Sequence, residues 1–341
     1  MPERFPPEEP SVVVPRQPSL ADVAVRAGVS HMTVSRVVNG GPVRAETRER
    51  VLAVVEELGY RPNSAARALV TGRTGTVGVV ALVSNLYGPA NTLYGMEIAA
   101  REAGYGITVS SVGRPGPSSI MDAVEHLRAQ AVEGIMVVAP HVTAARVLDG
   151  APADVAVVAV SGGDAAPVPV ISFDQYDAAR RVTEHLLSLG HQTVWHVAGP
   201  EDWLEASERE RGWREALLEH GAAIPPVMRG DWSPRSGYEA GRALARERGV
   251  DAVFSANDQM ALGLLRAFDE AGLCVPRDAH VAGFDDVPEA AYFSPPLTTV
   301  RQDFIELGRR TFALLTERMA GGDRRARRLV PAELVVREST R

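Results

Sequence analysis

Arginine, amide, carboxylate and aromatic residues follow several apolar runs that are typical of β-strands. Arg209, Asn257 and Asp285 carry planar groups that can form paired hydrogen bonds, and Trp232 and Phe304 carry flat apolar faces. Hydroxyl-rich ligands need planar groups for their oxygens and an aromatic face for their C–H surface. These residues therefore predict a binding site for a polyhydroxylated small molecule.

Other residues at similar positions are also candidates, and some have a simpler structural interpretation. Asp258 is expected to cap the helix that follows it, Trp213 to lie in a core and Asp286 to lie in a turn. Three further candidates for the binding site follow apolar runs: Asn91, Thr92 and Phe173.

Strands and helices that could position these side chains alternate along the chain from Gly75. This alternation predicts an α/β fold with mainly parallel sheets and helices on both faces. In such sheets ligands bind beyond the carboxyl ends of the strands, which is why residues after strands are the candidates. The predicted strands are 77–83, 107–112, 134–139, 155–160, 193–198, 252–256 and 280–284, and two of the predicted helices are 92–104 and 178–190.

Three short helical patterns lie between residues 18 and 62. The first begins after the N-cap residue Ser19 and ends at Gly28, the second begins after Ser30, and the third ends at Gly59. On the second helix, 31–38, small polar side chains and one arginine share the face opposite to the apolar residues. Such a face suits the major groove of DNA, where base edges carry distinct hydrogen-bonding patterns. Spacing alone also allows an ordinary three-helix surface bundle. The outward-facing residues are His31, Met32, Thr33, Ser35 and Arg36.

The distribution of charge favours DNA over the surface bundle. Residues 16–75 contain nine arginines and five acidic residues, a net charge of +4, whereas the whole chain carries −7. A basic segment on an acidic remainder is expected if only that segment contacts phosphates.

The chain contains no lysine, which excludes a Walker-A lysine and a Schiff-base lysine.

Composition restricts the architecture and the compartment. A length of 341 residues suits two or three domains. No run of 18 apolar residues predicts a membrane span, and residues 1–17, rich in proline and acidic, are expected to be a disordered lead without a signal peptide. The single cysteine, Cys274, excludes an internal disulfide, fits a cytoplasmic protein and is expected to be buried. No histidine spacing indicates a metal site, and no cofactor is expected.

The strings LADVAVRAGVSHMTVSRVVN and TRERVLAVVEELGYRPNSAARAL resemble the LacI/GalR family of bacterial transcriptional repressors, and the resemblance extends over nearly the whole chain. It implies a helix-turn-helix DNA-binding domain at 18–62 and a hinge helix and linker at 63–75. It also implies a two-lobed effector-binding and dimerisation domain, like a periplasmic binding protein with parallel sheets, at 76–341.

The resemblance also implies roles for single residues. His31 and Met32 would read bases, and Leu69 would insert between central base pairs as a wedge, although Leu69 could instead be a linker residue that touches the larger domain. In the larger domain Arg209, Asn257 and Asp285 would bind sugar hydroxyls, and Trp232 and Phe304 would stack on the sugar. The remaining DNA-binding residues would be Ser30, Thr33, Ser35, Arg36, Asn39, Asn63 and Ala66.

The function implied is a repressor of carbohydrate-utilisation genes that binds operator DNA and is released by a sugar between the two lobes. The C-terminus lacks leucine heptads, so a homodimer is expected, without a membrane partner. The stretch after 155–160 contains Ser161 and two glycines where many family members have an acidic residue. The sequence therefore does not decide whether the sugar is a β-glucoside or a β-galactoside. The alternatives are a regulator that needs a corepressor, a transport-type sugar-binding protein and a hydrolase.

Overall fold

The computed structural model describes residues 16, 18–61, 68, 72–82, 86–113, 116–138, 141, 148–160, 167–323 and 325–341. The chain divides into two compact units, Met1–Thr74 and Gly75–Arg341. None of the helices in these described ranges is both long and apolar enough to span a bilayer.

The smaller unit contains helices α1 (Leu20–Ala27), α2 (His31–Val38) and α3 (Ala45–Leu58). Ser19 begins α1 with a capping box, in which its hydroxyl accepts from the Asp22 backbone N–H and the Asp22 carboxylate accepts from the Ser19 N–H at 2.7 Å. Gly28 ends α1 with a φ of 62°, a left-handed conformation that glycine adopts without strain. The cap residues of the sequence therefore set these helix ends.

Valines hold the three short helices together. Val23, Val34 and Val51 come one from each helix, and all three are fully buried. Helices of eight residues are marginal in isolation, so this shared core rather than intrinsic propensity stabilises α1 and α2. It also fixes which face of α2 is left to solvent.

The larger unit contains twelve strands and seven helices in the part of the chain that the structure describes. The strands are β1 (Thr76–Leu82), β2 (Gly106–Val112), β3 (Gly134–Val138), β4 (Ala156–Val160), β5 (Val170–Phe173), β6 (Trp195–Ala198), β7 (Met228–Arg229), β8 (Ala252–Ser255), β9 (His280–Ala282), β10 (Thr299–Arg301), β11 (Arg327–Val330) and β12 (Glu333–Val335). The helices are α4 (Tyr87–Glu102), α5 (Pro117–Ala129), α6 (Gln175–Ser188), α7 (Leu204–Glu219), α8 (Pro234–Leu244), α9 (Asp258–Glu270) and α10 (Phe304–Met319).

Two parallel sheets define two lobes. The first lobe is a six-stranded sheet in the order β11-β5-β4-β3-β1-β2, and the second is a four-stranded sheet in the order β7-β6-β8-β9. β10 and β12 form a separate antiparallel pair. The chain crosses between the lobes after β5, between β10 and α10, and between β11 and β12. These crossings bring residues from distant parts of the sequence to the same cleft.

The central strands of each sheet are buried on both faces. On β3, Ile135 packs with α5 on one side of the sheet, and Met136 packs with α4 and α10 on the other. On β8, Val253 and Phe254 belong to different core clusters in the same way. Strands buried on both faces read as continuous apolar runs, which is why β1, β3, β4, β6 and β8 can be predicted from the sequence.

Some expectations differ from the structure. Helix α4 begins at Tyr87 rather than at residue 92, and Phe173 is the last residue of β5 rather than the residue after a strand. The strands β5, β7, β10, β11 and β12 are not among the predicted ones. The expectation that Cys274 is buried is wrong, because Cys274 is exposed in the loop after α9. Short strands pair through backbone hydrogen bonds supplied by neighbouring strands, so their own side chains carry little pattern.

His196 is a buried histidine at the centre of the second lobe. It is fully buried on β6, with its ring stacked on Phe254 and Trp213 at centroid distances of 4.6 and 5.2 Å. Its Nδ1 donates to the Phe254 carbonyl oxygen at 2.9 Å, since a carbonyl can only accept. Burial lowers the pKa of His196 to about 4, so the folded protein holds this ring neutral.

The lowered pKa predicts a loss of stability in acid. The unfolded chain, with a histidine pKa of about 6.5, binds more protons than the folded chain between pH 6.5 and 4, so acidification through this window favours unfolding. We expect the difference in unfolding free energy between wild type and His196→Phe to change by about 2–3 kcal/mol from pH 7 to pH 4.5, with wild type losing stability. Urea titrations at the two pH values measure it.

The exposed His126 on α5 supplies the control for this experiment. His126→Phe should leave the pH dependence of wild type unchanged. The same pH dependence in wild type and in His196→Phe would contradict the assignment.

Candidate functional site

A cavity lies between the two lobes at the carboxyl ends of the strands, and residues of both lobes line it. Small-molecule sites occur preferentially in such clefts between domains. The structure brings together seven of the eight predicted effector-binding residues around it: Thr92, Phe173, Arg209, Trp232, Asn257, Asp285 and Phe304. Their roles toward a ligand remain predictions.

Arg209 is the central polar group of the cavity. It lies on α7, 5% exposed, and its guanidinium donates to Gln175 Oε1 at 2.8 Å, to the Ala256 carbonyl oxygen, to Asp285 Oδ1 at 3.4 Å and to Gln302 Oε1 at 3.3 Å. Residues from two of the three lobe crossings, Gln175 and Gln302, and from the second lobe therefore meet at this side chain. The two longer bonds of Nη2 indicate a donor that a ligand oxygen could also use.

Asp285 is the carboxylate partner of Arg209. Its backbone has a φ of 107°, a left-handed conformation that is unusual for a residue other than glycine, and such strain is often found at functional sites. Burial raises the pKa of Asp285 to about 6, although the charge of Arg209 acts to lower it. The carboxylate is thus an acceptor whose charge is held in place by Arg209.

The structure corrects the assignment of the helix cap at α9. Asn257, not Asp258, is the N-cap, and its Oδ1 accepts from the Met260 N–H at 2.8 Å. Asp258 instead accepts from the Val287 N–H at 2.9 Å and from the Thr299 hydroxyl at 2.6 Å, and burial raises its pKa well above the usual range. Asn257 therefore lines the cavity while both ends of its amide already bond within the protein.

Aromatic rings form the apolar walls. The Phe304 ring meets Phe173 edge to face at 5.4 Å and Tyr87 at 5.7 Å, and the Trp232 ring meets Trp203 at 5.6 Å. Aromatic pairs prefer such edge-to-face packing, which fixes the orientation of the rings. This arrangement suits a ligand with apolar faces between polar edges.

Asn91 does not line the cavity. Because α4 begins four residues earlier, at Tyr87, Asn91 lies in the second turn and its amide donates to the Tyr87 carbonyl oxygen at 2.9 Å. Thr92 does line the cavity, but its hydroxyl donates to the Gly88 carbonyl oxygen at 2.8 Å. The predicted start of this helix is thus the source of the misplaced candidate.

Several cavity residues were missed in the sequence. Trp203 and Glu205 follow β6, and Gln175 follows β5, so the strand-end signal could have found all three.

Two residues that line the cavity carry a buried polar atom without a partner. Within the described residues, Glu205 Oε2 and Trp232 Nε1 form no hydrogen bond. Unpaired buried polar atoms are uncommon and costly, so they indicate where a ligand or water binds.

The two lobes also touch beside the cavity. His141, which follows β3 in the first lobe, bonds through Nε2 to Asp202 Oδ2 of the second lobe at 2.8 Å. The backbones of His141 and Trp203 form an isolated antiparallel bridge at the same place. Closing the cleft therefore brings specific groups of both lobes together.

The outward face of α2 is the second candidate site. His31, Met32 and Arg36 are exposed, with Met32 at 63%, and the Arg36 side chain bonds to none of the residues that the structure describes. Thr33 and Ser35 are half-buried, Asn39 is the C-cap, and the Ser30 hydroxyl accepts from the Thr33 N–H. Of the other predicted DNA contacts, Asn63, Ala66 and Leu69 lie outside the described residues.

Two family models match the chain. "Bacterial regulatory proteins, lacI family" matches residues 19–63, and "Periplasmic binding protein-like domain" matches residues 183–340. The lactose operon repressor of Escherichia coli (strain K12) is 37% identical over 327 residues, which cover 94% of this chain and 90% of that protein. The HTH-type transcriptional regulator CelR of Thermobifida fusca is 38% identical over 347 residues, covering 95% and 98%.

Solved structures of a lac repressor and of a CelR regulator are similar in fold to this chain. The lac repressor dimer bound to operator and the anti-inducer ONPF matches with a TM-score of 0.89 at 36% identity, covering 95% of this chain and 99% of that chain. The CelR–cellobiose complex matches with a TM-score of 0.71 at 34% identity, covering 94% and 99%. These relatives are transcriptional regulators and not enzymes, which sets aside the hydrolase. The chain belongs to the lacI family of bacterial regulatory proteins.

Proposed function

We propose that this regulator represses carbohydrate-utilisation genes by binding operator DNA as a homodimer, and that a β-glucoside or β-galactoside in the cavity releases it. The observation that carries the proposal is the set of unpartnered polar atoms between aromatic walls. Trp232 Nε1 is a donor, and Glu205 Oε2 is an acceptor. A sugar presents oxygens and hydroxyl protons on one side and C–H faces on the other, so it can satisfy both features.

The relatives support the choice of ligand and assembly. One relative was solved with cellobiose, and the other as a dimer on its operator with ONPF. The segment 161–166, where the sequence departs from many family members, lies outside the described residues. Both the β-glucoside and the β-galactoside therefore stay candidates for the effector, and the gel shift described below distinguishes them.

The switch requires that the ligand bind one arrangement of the lobes better than another. The cavity is lined from both lobes and from the crossings, so a bound sugar would fix the angle between them. The His141–Asp202 contact joins the two lobes beside Trp203, which lines the cavity. Residues 63–75 would transmit the change to the DNA-binding domain at 18–62.

A gel shift on the upstream region of the protein's own gene tests the proposal. Addition of a β-glucoside or β-galactoside should release the protein from the DNA, and a panel of other mono- and disaccharides should not. Binding that strengthens on addition of the sugar would indicate a corepressor instead. Binding isotherms without turnover would separate a sensor from an enzyme.

Base reading by α2 predicts a change in specificity. His31→Ala or Met32→Ala should alter the discrimination between operator variants by about 1–3 kcal/mol for each lost base contact. The matched control is Arg50→Ala, an exposed arginine on α3, which should at most weaken binding to all sequences equally. Competition binding against a library of single-base operator variants measures both effects. A uniform loss of affinity in the His31 and Met32 variants would contradict base reading.

A further inference from the structure

Glu205 is an acidic residue of the cavity that the Arg209 network does not use. It occupies the second position of α7, and its Oε2 atom is buried without a hydrogen-bond partner in the part of the chain that the structure describes. The residues around it in the lining include Trp203, Arg209 and Asp285. A buried acceptor with no protein partner is expected to bond to a ligand or to ordered water.

The charges near Glu205 do not favour an anionic ligand. Of the described residues that line the cavity, Arg209 is the one cation, and its charge is already paired with the Asp285 carboxylate. Burial raises the pKa of Glu205 to about 7, with Asp285 and Glu208 acting in the same direction and Arg209 in the opposite one. Around neutral pH the cavity therefore gains a second negative charge as Glu205 ionises.

We propose that Glu205 is a specificity-determining residue of the effector site, which accepts a hydrogen bond from a neutral hydroxyl of the ligand and excludes ligands with a carboxylate or phosphate at that position. The inference rests on the proposed glycoside function and extends it to the charge of the ligand. The effector is thus a neutral glycoside rather than a sugar acid or a sugar phosphate. Like charges in a water-poor cavity repel strongly, so exclusion is the expected effect of ionised Glu205.

The experiment compares ligands that differ in one group. Isothermal titration of the full chain measures the binding of 4-nitrophenyl β-D-glucoside and β-D-galactoside and of the uronide of each. In the uronide a carboxylate, ionised from pH 6 to 8, replaces the CH₂OH group of the glycoside. We expect wild type to prefer the neutral member by about tenfold or more at pH 8 and by less at pH 6, because Glu205 ionises across this range. Asp285, with a pKa of about 6, contributes to the lower part of that change.

Glu205→Gln separates the two carboxyls, because it keeps Asp285 and stays neutral at every pH. The variant should bind the neutral glycoside and should prefer it over the uronide by a much smaller factor at pH 8. Glu201→Gln is the control, since the Glu201 side chain is 79% exposed and pairs with Arg229 at 3.4 Å. It should keep the wild-type preference.

The outcomes are distinguishable. Equal affinity of the wild-type protein for a glycoside and its uronide at pH 8 overturns the inference, whatever the variants show. The same preference in Glu205→Gln as in wild type also overturns it, and both results leave the proposed function standing. If the wild-type protein binds its operator but neither neutral glycoside, the proposed function fails, and the inference fails with it.

Discussion

Arg209→Ala and Asp285→Ala are expected to give a constitutive repressor, which binds its operator normally and is not released by the glycoside. The loss of glycoside affinity should be large, because this buried charged pair is expected to form several hydrogen bonds to the sugar at once. Removing one partner of such a pair costs about 2–5 kcal/mol, or thirtyfold to several-thousandfold in affinity. Operator titration with and without glycoside measures both properties on the same sample.

The Arg209 variant needs a control for folding. Removal of the Arg209 guanidinium leaves the buried acceptors of Gln175, Asp285 and Gln302 without this donor, which also lowers the stability of the lobe. Asp285→Asn keeps the volume and removes the charge, so it should reduce release with a smaller effect on the melting temperature. Normal release by glycoside from the Asp285 and Arg209 variants would show that the effector binds elsewhere.

The fold could be predicted where local chemistry alone decides it. The starts of α1 and α2 follow from the Ser19 and Ser30 caps, and the ends of α1 and α3 follow from Gly28 and Gly59. The buried parallel strands follow from continuous apolar runs. The start of α4 could not be predicted, since no capping side chain precedes Tyr87. Cys274 was misjudged because apolar neighbours in sequence do not ensure burial in a loop.

The site could be predicted in outline, and its partners could not. Strand-end placement found seven residues that line the cavity, because parallel strands bring their carboxyl ends to one edge. The same signal did not reveal that the Asn257 side chain is bonded as a helix cap, or that Glu205 has an unpaired oxygen. Both facts depend on contacts between segments that are far apart in sequence.

Removal of residues 1–75 is expected to abolish operator binding and to leave glycoside binding unchanged. The division of the chain into units Met1–Thr74 and Gly75–Arg341, each with its own hydrophobic cores, supports a fragment that folds without the first unit. The net charge of residues 16–75 is +4 and that of the whole chain is −7, so the fragment carries the acidic part of the protein. Phosphates repel such a surface, and nothing replaces the lost arginines.

Salt dependence connects this loss to its cause. Each arginine–phosphate contact releases counterions, so the operator affinity of the full chain should fall steeply and linearly with salt on a logarithmic scale. The slope reports the number of phosphate contacts, and each of the variants Arg44→Ala and Arg50→Ala should reduce it by at most about one. Glycoside affinity of the full chain and of the fragment should agree at every salt concentration, because a neutral ligand releases no counterions. Specific operator binding by the fragment, or a flat salt profile for the full chain, would place the DNA contact outside the basic N-terminal unit.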